Sequence, residues 1–372
     1  MPAAVTRPPP AAAGAEATRP VRSRMIGVPI IVALVVLLLA EVAVRVGKSS
    51  LATPSAWPAP ELQKKYDQIV ARAGSAQGTD VVLVGDSMMD AGGDPAALVA
   101  AGSAARVYNA SVAGETLPTI AEWTAKVVVP RLHPKVVVIG FSSNELSPAV
   151  LAPSLGLSAY RHSRAVRDAE GTGGVIDRAD GLLRRTSMLY RYRSVLRNPL
   201  SLGGTVAGSA GGIFDPKLTG DGQDLAFTGQ QYLAQGGVNQ ARLVIGTIIA
   251  TLEGFTVGKD NVAILQGLIT NLRRQNIQVL LVAMPVTADL VSFHPAGAAD
   301  YQRALASFGS IAQASGALLA VPGVWPINEF ADPVHLNGAG TVHFTKYLAP
   351  LVRQAAGSAR STGSGSGSGS AP

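Results

Sequence analysis

Short apolar runs recur along the chain, and the segments between them have the residue spacing of amphipathic helices. Apolar runs of about four to eight residues are typical of strands buried on both faces of a parallel sheet. The predicted strands are 81–85, 106–108, 136–140, 276–285 and 317–321, and the predicted helices are 61–73, 118–131, 298–315 and 337–355. Because strands and helices alternate, the sequence predicts an α/β fold with a parallel sheet between two layers of helices.

The longest apolar stretch lies near the N-terminus and predicts a membrane anchor. Residues 25–44 contain no ionised side chain except Glu41, and about 20 apolar residues are enough to span a bilayer. The alternative is a cleaved signal peptide, but the apolar region of such peptides is usually only about 7–15 residues long. Arginines precede the stretch at positions 7, 19, 22 and 24. They predict a cytoplasmic N-terminus, a single membrane pass and an exported remainder.

Composition shifts divide the chain into five predicted segments. Residues 1–24 are rich in Ala, Pro and Arg and are predicted to form a disordered cytoplasmic tail. The transmembrane anchor follows at 25–46, and 47–77 hold a Pro-containing linker and a short helix. The α/β domain spans 78–356, and the Gly/Ser repeat at 357–372 predicts a flexible tail.

Composition also limits the chemistry that this chain can perform. It has 372 residues and no cysteine, which excludes disulfides and thiolate metal sites. No pair of its five histidines has the spacing of a zinc site with a third ligand, so we expect neither a metal nor another cofactor. Four arginines of the N-terminal tail, opposed there only by Glu16, contribute to the net charge of +7. It is therefore a signal of membrane topology, and we expect no nucleic-acid partner.

Two polar residues and a glycine follow the ends of the first three predicted strands. Ser87 follows the first strand, Gly114 the second and Asn144 the third. The carboxyl ends of neighbouring parallel strands meet at one edge of the sheet, where ligands bind. A serine there can act as a nucleophile, while a backbone N–H and an asparagine amide can stabilise an oxyanion. Asp332 and His335, far downstream, can supply the carboxylate and the base of such a site.

These blocks together resemble the SGNH (GDSL-like) hydrolase and acyltransferase superfamily, which is named for its Ser, Gly, Asn and His. The resemblance covers residues 78–356 and implies a flavodoxin-like, three-layer α/β/α catalytic domain. It implies that Ser87 is the nucleophile, that His335 is the base and that Asp332 orients His335. It also implies an oxyanion hole formed by the N–H of Ser87, the N–H of Gly114 and the amide of Asn144.

Two residues depart from the pattern of that superfamily. Its third block is usually Gly-x-Asn-Asp, whereas this chain has Ser142 and Glu145 in place of the glycine and the aspartate. The serine narrows the space beside the oxyanion hole and the glutamate lengthens a carboxylate next to it, which favours a specialised subgroup. The long segment at about 150–270 predicts inserted helices or a lid over the site.

The expected function is that of a serine acyl-ester hydrolase or O-acyltransferase that forms an acyl-serine intermediate. An exported, membrane-anchored domain faces the cell envelope, so acetylated envelope glycan is the expected substrate. The resemblance also implies a multi-spanning acyl donor protein as a partner. The alternatives are an envelope lipase or thioesterase with the same chemistry, and a non-catalytic SGNH-like protein for glycan binding or assembly.

The segment 161–197 is rich in arginine. Nine arginines lie there against four acidic residues, and Tyr190 and Tyr192 alternate with them. One interpretation is a surface that contacts anionic lipid headgroups or an anionic polymer. The interpretation we favour is a solvated helix face that its tyrosines hold against the domain.

Overall fold

The structure is a computed structural model that describes residues 27–48, 60–75, 78–104, 106–151, 160–161, 163–193, 196, 218–224, 246 and 248–363. The predicted tail at 1–24 lies outside the described residues, as do 49–59 of the predicted linker and 364–372 of the C-terminal tail. Much of the predicted insertion, including 197–217 and 225–245, also lies outside them.

Five parallel strands form one sheet in the order β2-β1-β3-β4-β5. The strands are β1 (Val81–Gly85), β2 (Val107–Asn109), β3 (Val136–Phe141), β4 (Gln278–Ala283) and β5 (Leu318–Ala320). Every residue of β1 and β3 is buried, because both faces of the central strands are covered by helices, as their continuous apolar sequences predicted. This strand order is that of flavodoxin-like folds.

Helices cover both faces of the sheet, which confirms the predicted three-layer α/β/α fold. The described helices are α1 (Gly27–Gly47), α2 (Pro60–Ala73), α3 (Ser87–Gly92), α4 (Pro95–Ala100), α5 (Leu117–Trp123), α6 (Val129–Leu132), α7 (Arg164–Ala169), α8 (Gly173–Thr186), α9 (Met188–Arg191), α10 (Lys259–Arg274), α11 (Ala288–Ser292), α12 (Ala298–Ser315) and α13 (Gly338–Gly363). Helix α13 contacts α3 and α4 in one layer, and α10 lies between α5 and α12 in the other.

The structure differs most clearly from the sequence prediction at three places. The predicted helix at 118–131 is interrupted by a π-helical turn over Thr124–Val128, which joins α5 to α6. Helix α10 packs Leu265, Ile269 and Leu272 into the core, so the insertion ends before Lys259 and not near residue 270. The last helix continues to Gly363, beyond the predicted start of the tail at 357, because Ala, Ser and Arg extend it until the Gly/Ser repeat begins.

Helix α1 is long and apolar enough to cross a membrane between Pro29 and Gly47. Its side chains at Leu34, Leu37 and Leu38 are 57–63% exposed, which is expected of a helix that lipid would surround. Length and composition agree with the predicted anchor, whereas its orientation stays a prediction.

Candidate active site

The end of β1 is shaped to present Ser87 at the carboxyl edge of the sheet. Gly85 lies opposite Gly140 of β3, and Met89 of α3 packs so closely over both that neither position has room for a Cβ atom. The two glycines therefore let α3 approach the sheet. Asp86 accepts a hydrogen bond from the N–H of Met88 at 2.9 Å and caps this helix, so that Ser87 is its first residue.

A tight turn holds the second part of the site. Asp332 Oδ1 accepts hydrogen bonds from the N–H groups of Val334 and His335, each at 2.8 Å. The turn is closed by a pair of antiparallel bridge residues, Phe330 and Leu336. These bonds leave the other carboxylate oxygen, Oδ2, directed at the imidazole of His335.

The two parts meet in one chain of hydrogen bonds. His335 Nδ1 lies 2.7 Å from Asp332 Oδ2, and His335 Nε2 lies 2.8 Å from Ser87 Oγ. Both His335 and Asp332 are buried, while Ser87 is partly exposed. This is the arrangement of nucleophile, base and orienting carboxylate on which nucleophilic acyl transfer depends.

The electrostatics suit a histidine that exchanges a proton. Burial opposes the charged form of His335, but the attraction and hydrogen bond of Asp332, with a smaller contribution from Asp86, outweigh it and raise the pKa of His335 above 6.5. Burial also opposes the charge on Asp332, but the charge of His335 and the N–H donors lower its pKa overall. Asp332 therefore stays ionised and stabilises an imidazolium.

The block that contains Gly114 is hydrogen-bonded to the end of β1. The N–H of Val112 donates to the carbonyl oxygen of Gly85 at 3.0 Å, which continues the sheet alignment past the strand. Gly114 is exposed and has a φ of +75°, a left-handed conformation that glycine adopts without the strain of a Cβ. The N–H of Gly114 thus lies in a turn at the same edge of the sheet as Ser87.

The third block differs from what the sequence suggested for Ser142. Its hydroxyl donates a hydrogen bond to Asn144 Oδ1 and so helps to orient the amide, whereas the narrowing of the space beside the oxyanion hole stays a prediction. The Asn144 amide nitrogen faces Glu145 Oε1 at 3.3 Å, and Glu145 Oε2 accepts from the N–H of Leu117 at 2.8 Å. Glu145 therefore connects the second and third blocks.

Two buried carboxyl groups lie beside the catalytic candidates. Burial raises the pKa of Asp86 to about 6, against the opposing effects of the Met88 N–H and of His335. Burial and the charge of Asp86 raise the pKa of Glu145 to about 8. The raised pKa favours the neutral form of Glu145, which would limit the negative charge that an oxyanion meets.

A cluster of buried, charged side chains lies behind the Gly114 block and was not predicted from the sequence. Lys65 of α2 is fully buried and forms ion pairs with Asp90 and with Glu61, the latter at 2.8 Å. Its ammonium group also donates to the carbonyl oxygen of Ser111, while Glu61 accepts from the N–H of Ala113 at 3.0 Å. Helix α2, which looked like a simple lead-in to the first strand, therefore holds the segment that ends at Gly114.

The charges in this cluster depend on one another. Burial opposes the charge on Lys65, but the attraction of Asp90 and Glu61 more than offsets it and raises the pKa of Lys65. Burial and the charges of Glu61 and Asp224 raise the pKa of Asp90. Glu61, Asp90 and Asp224 are close enough to share a cation, and the ammonium of Lys65 already supplies a positive charge to two of them.

We expect Lys65→Met to reduce the free energy of unfolding by about 3–5 kcal/mol, because it leaves buried carboxylates without their cation. Denaturant titration of the full chain in detergent micelles, followed by the fluorescence of its tryptophans, measures this loss. Lys126→Met is the matched control, since Lys126 pairs with Glu122 on the surface at 3.4 Å, where an ion pair contributes about 0–1 kcal/mol.

The double variant Lys65→Met with Asp90→Asn separates charge from packing. It removes one of the uncompensated charges, so it should be more stable than Lys65→Met alone. Equal losses for Lys65→Met and Lys126→Met, or no recovery in the double variant, would contradict the assigned role of Lys65.

The structure thus joins three of the five predicted site residues directly. Ser87, His335 and Asp332 form one hydrogen-bonded chain. Gly114 and Asn144 follow the strands on either side of β1 and lie at the same edge of the sheet. Their donation to a substrate oxygen stays a prediction.

Comparisons with known proteins add little to this geometry. No protein-family model matches the sequence, and no curated protein matches it. One solved structure that it resembles is that of a carbohydrate acetylesterase family member from Sinorhizobium meliloti, with 13% sequence identity and a TM-score of 0.33. The match covers 75% of this chain and 100% of that one. A similarity with such a TM-score supports no conclusion about function. The function has to be argued from the site alone.

Proposed function

We propose that this protein is a serine acyl-ester hydrolase or O-acyltransferase that forms an acyl intermediate on Ser87. The observation that carries the proposal is the hydrogen-bonded chain from Ser87 Oγ through His335 to Asp332. A surface serine or a capping histidine needs no such chain, whereas a serine nucleophile needs a base that is itself oriented by a third group.

The first half of the reaction acylates the serine. Ser87 Oγ attacks the ester carbonyl carbon while His335 Nε2 accepts its proton, and Asp332 stabilises the imidazolium. The N–H groups of Ser87 and Gly114 and the amide of Asn144 hold the oxyanion, and the loss of one such donor costs about 10²–10³ in rate. When the intermediate collapses, His335 returns the proton to the departing alcohol and the acyl group stays on Ser87.

The second half returns the serine. A hydroxyl attacks the acyl-serine, His335 accepts the proton of that hydroxyl, and the proton passes to Ser87 Oγ as the ester bond to it breaks. With water as the nucleophile the product is a carboxylic acid, and with a sugar hydroxyl it is a new ester. Exclusion of water and binding of the acceptor decide between the two outcomes.

The proposed substrate is acetylated glycan of the cell envelope. Support comes from α1, which is long and apolar enough to anchor the chain, and from the arginines before it, which favour export of the catalytic domain. A multi-spanning protein would then supply acyl groups if the reaction is a transfer. An envelope lipase or thioesterase would use the same residues on another ester.

The experiment is to incubate the full chain, in detergent, with a chromogenic acetyl ester and with or without an oligosaccharide acceptor. We expect release of the chromophore in both cases. Acetate as the product defines a hydrolase, and acetyl groups on the sugar define a transferase. A folded protein that releases no chromophore with acetyl, longer acyl or thioester substrates would contradict the proposal and favour a role in glycan binding.

A further inference from the structure

The last turns of α1 are attached to the arginine-rich segment. Glu41, the acidic residue within the apolar stretch, accepts hydrogen bonds from Ser187 Oγ at 2.9 Å and from the N–H groups of Met188 and Leu189 at 2.7 and 2.9 Å. It therefore caps the first turn of α9 from a neighbouring helix. This contact explains the carboxylate near the end of the apolar stretch.

Further contacts extend the same junction. Arg45 donates to the carbonyl oxygen of Thr186, the last residue of α8, at 3.1 Å. Tyr192 and Val44 bury each other in a small apolar cluster. Tyr192 thus holds the segment against the anchor, whereas the sequence analysis had favoured attachment to the α/β domain. The C-terminal end of α8 is consequently fixed beside the point where α1 ends.

The opposite end of this segment is attached to the catalytic domain. Asp168 of α7, which precedes α8, accepts a hydrogen bond from the hydroxyl of Tyr66 in α2, and Arg161 pairs with Glu122 of α5 at 2.8 Å. Helices α7, α8 and α9 therefore connect the catalytic domain to the anchor.

Helix α8 has an apolar face that lies open to its surroundings. Val175 is 78% exposed and Leu182 is 62% exposed, and Ile176 and Leu183 are also exposed. At 3.6 residues per turn, these four positions fall within an arc of roughly 120°. This apolar face was not predicted from the sequence.

The described charged side chains of α8 lie outside that apolar face. Asp180 is turned into a network with Arg184, Arg193 and Tyr190. Exposed arginines flank the apolar arc on one side, at positions 178 and 185. An apolar face bordered by exposed arginines is typical of helices that lie in a membrane interface, and the long arginine side chain can reach anionic headgroups from there.

We propose that α8 lies in the plane of the membrane surface and binds anionic phospholipid through this face. The proposal rests on α1 spanning the bilayer. The C-terminal end of α8 lies beside the last turn of α1, so this end of α8 would then lie at the bilayer surface. The membrane is favoured over a protein partner because the junction with α1 fixes the C-terminal end of α8 beside the end of the anchor. The helix would hold the catalytic domain at a fixed distance from the bilayer.

The absence of cysteine makes a direct test possible. Single-cysteine variants of the full chain at Leu182, Leu37 and Val342 are labelled with a polarity-sensitive fluorophore and reconstituted into vesicles. Val342 is the matched control, since it is an apolar residue of α13 with 54% exposure. The vesicles consist of phosphatidylcholine alone or mixed with phosphatidylglycerol, and each carries spin-labelled lipid as a quencher.

We expect the Leu182 probe to shift to shorter wavelength and to be quenched by the spin-labelled lipid, more strongly in the anionic vesicles. The Val342 probe should show neither effect, and the Leu37 probe should be quenched in both lipids. Replacing Arg178 and Arg185 by glutamine should remove the difference between the two lipids for the Leu182 probe.

Other outcomes overturn the proposal for distinct reasons. A Leu182 probe that behaves like the Val342 probe while Leu37 is quenched would show that α8 does not touch the bilayer. A shifted but unquenched Leu182 probe would assign the face to a protein contact. An unquenched Leu37 probe would show that α1 does not span the bilayer. None of these results bears on the proposed ester chemistry at Ser87, which is measured separately.

Discussion

Ser87→Ala is expected to reduce kcat for ester cleavage by about 10⁶-fold, the size of effect seen when the nucleophile of a serine hydrolase is removed. The reason is that Ser87 Oγ, which lies 2.8 Å from His335 Nε2, is the atom that carries the acyl group, and alanine offers no oxygen in its place. Steady-state hydrolysis of a chromogenic acetyl ester by the full chain in detergent measures the loss.

Ser310→Ala serves as the matched control for this variant. Ser310 is an exposed serine of α12 whose hydroxyl donates to the carbonyl oxygen of Ala306 within the helix, so its loss should leave kcat unchanged. If Ser87→Ala kept more than about a hundredth of the wild-type rate, the acyl-serine mechanism would be wrong, because removal of a nucleophile leaves far less than that.

Asp332→Asn is expected to lower kcat by about 10⁴-fold, through the tautomer of His335. The carboxamide oxygen keeps the place of Oδ1, where it accepts the N–H groups of Val334 and His335. The amide nitrogen then faces His335 Nδ1, which has to accept a hydrogen bond. The proton of the neutral imidazole moves to Nε2, where it blocks proton transfer from Ser87.

The same variant should change the pH profile of the remaining activity. A general base works in its neutral form, so kcat/KM rises with pH through the pKa of the free enzyme's base. Asp332 raises the pKa of His335 above 6.5, and the wild-type midpoint should therefore lie above that value. Without this charge the midpoint should move to lower pH. Asp86 also titrates beside His335, but it is present in both proteins.

Asp260→Asn is the control for these measurements, since Asp260 is an exposed residue in the first turn of α10. It should leave both kcat and the pH midpoint unchanged. A midpoint that is unchanged or higher in Asp332→Asn, at near wild-type kcat, would show that Asp332 neither charges nor orients His335.

Much of the fold could be predicted from the sequence because its central strands are buried on both faces. Continuous apolar runs such as 81–84 and 136–139 leave few other structures available to them. The meeting of Ser87 with His335 could also be anticipated, since each follows a recognisable block of residues. The distances between them depend on the turn at Asp332 and on the fit of Met89 over two glycines, which sequence spacing does not specify.

Other features depend on contacts between distant parts of the chain. Lys65 lies on a helix whose pattern of charges looks like that of any surface helix, and only its packing against Asp90 and Ser111 shows that it is buried. Glu41 looked like an isolated charge near the end of the anchor until the structure placed it against α9. Contacts of this kind carry no local signal in the sequence.

Helix α8 is a different case, because its signal was present in the sequence. Val175, Ile176, Leu182 and Leu183 have the spacing of an apolar helix face. Arginines lie between and beside these residues in the sequence, so the segment also fits a solvated helix face. Its attachment to α1, in contrast, required the structure.

The central claim is that Ser87 is an activated nucleophile, and covalent labelling tests it most directly. The full chain is treated with a fluorophosphonate, digested, and mapped by mass spectrometry, beside Ser87→Ala and His335→Ala. We expect one labelled peptide carrying the adduct on Ser87, no adduct in Ser87→Ala and much slower labelling in His335→Ala. A folded wild-type protein that stays unlabelled, or that is labelled at another serine, would contradict it.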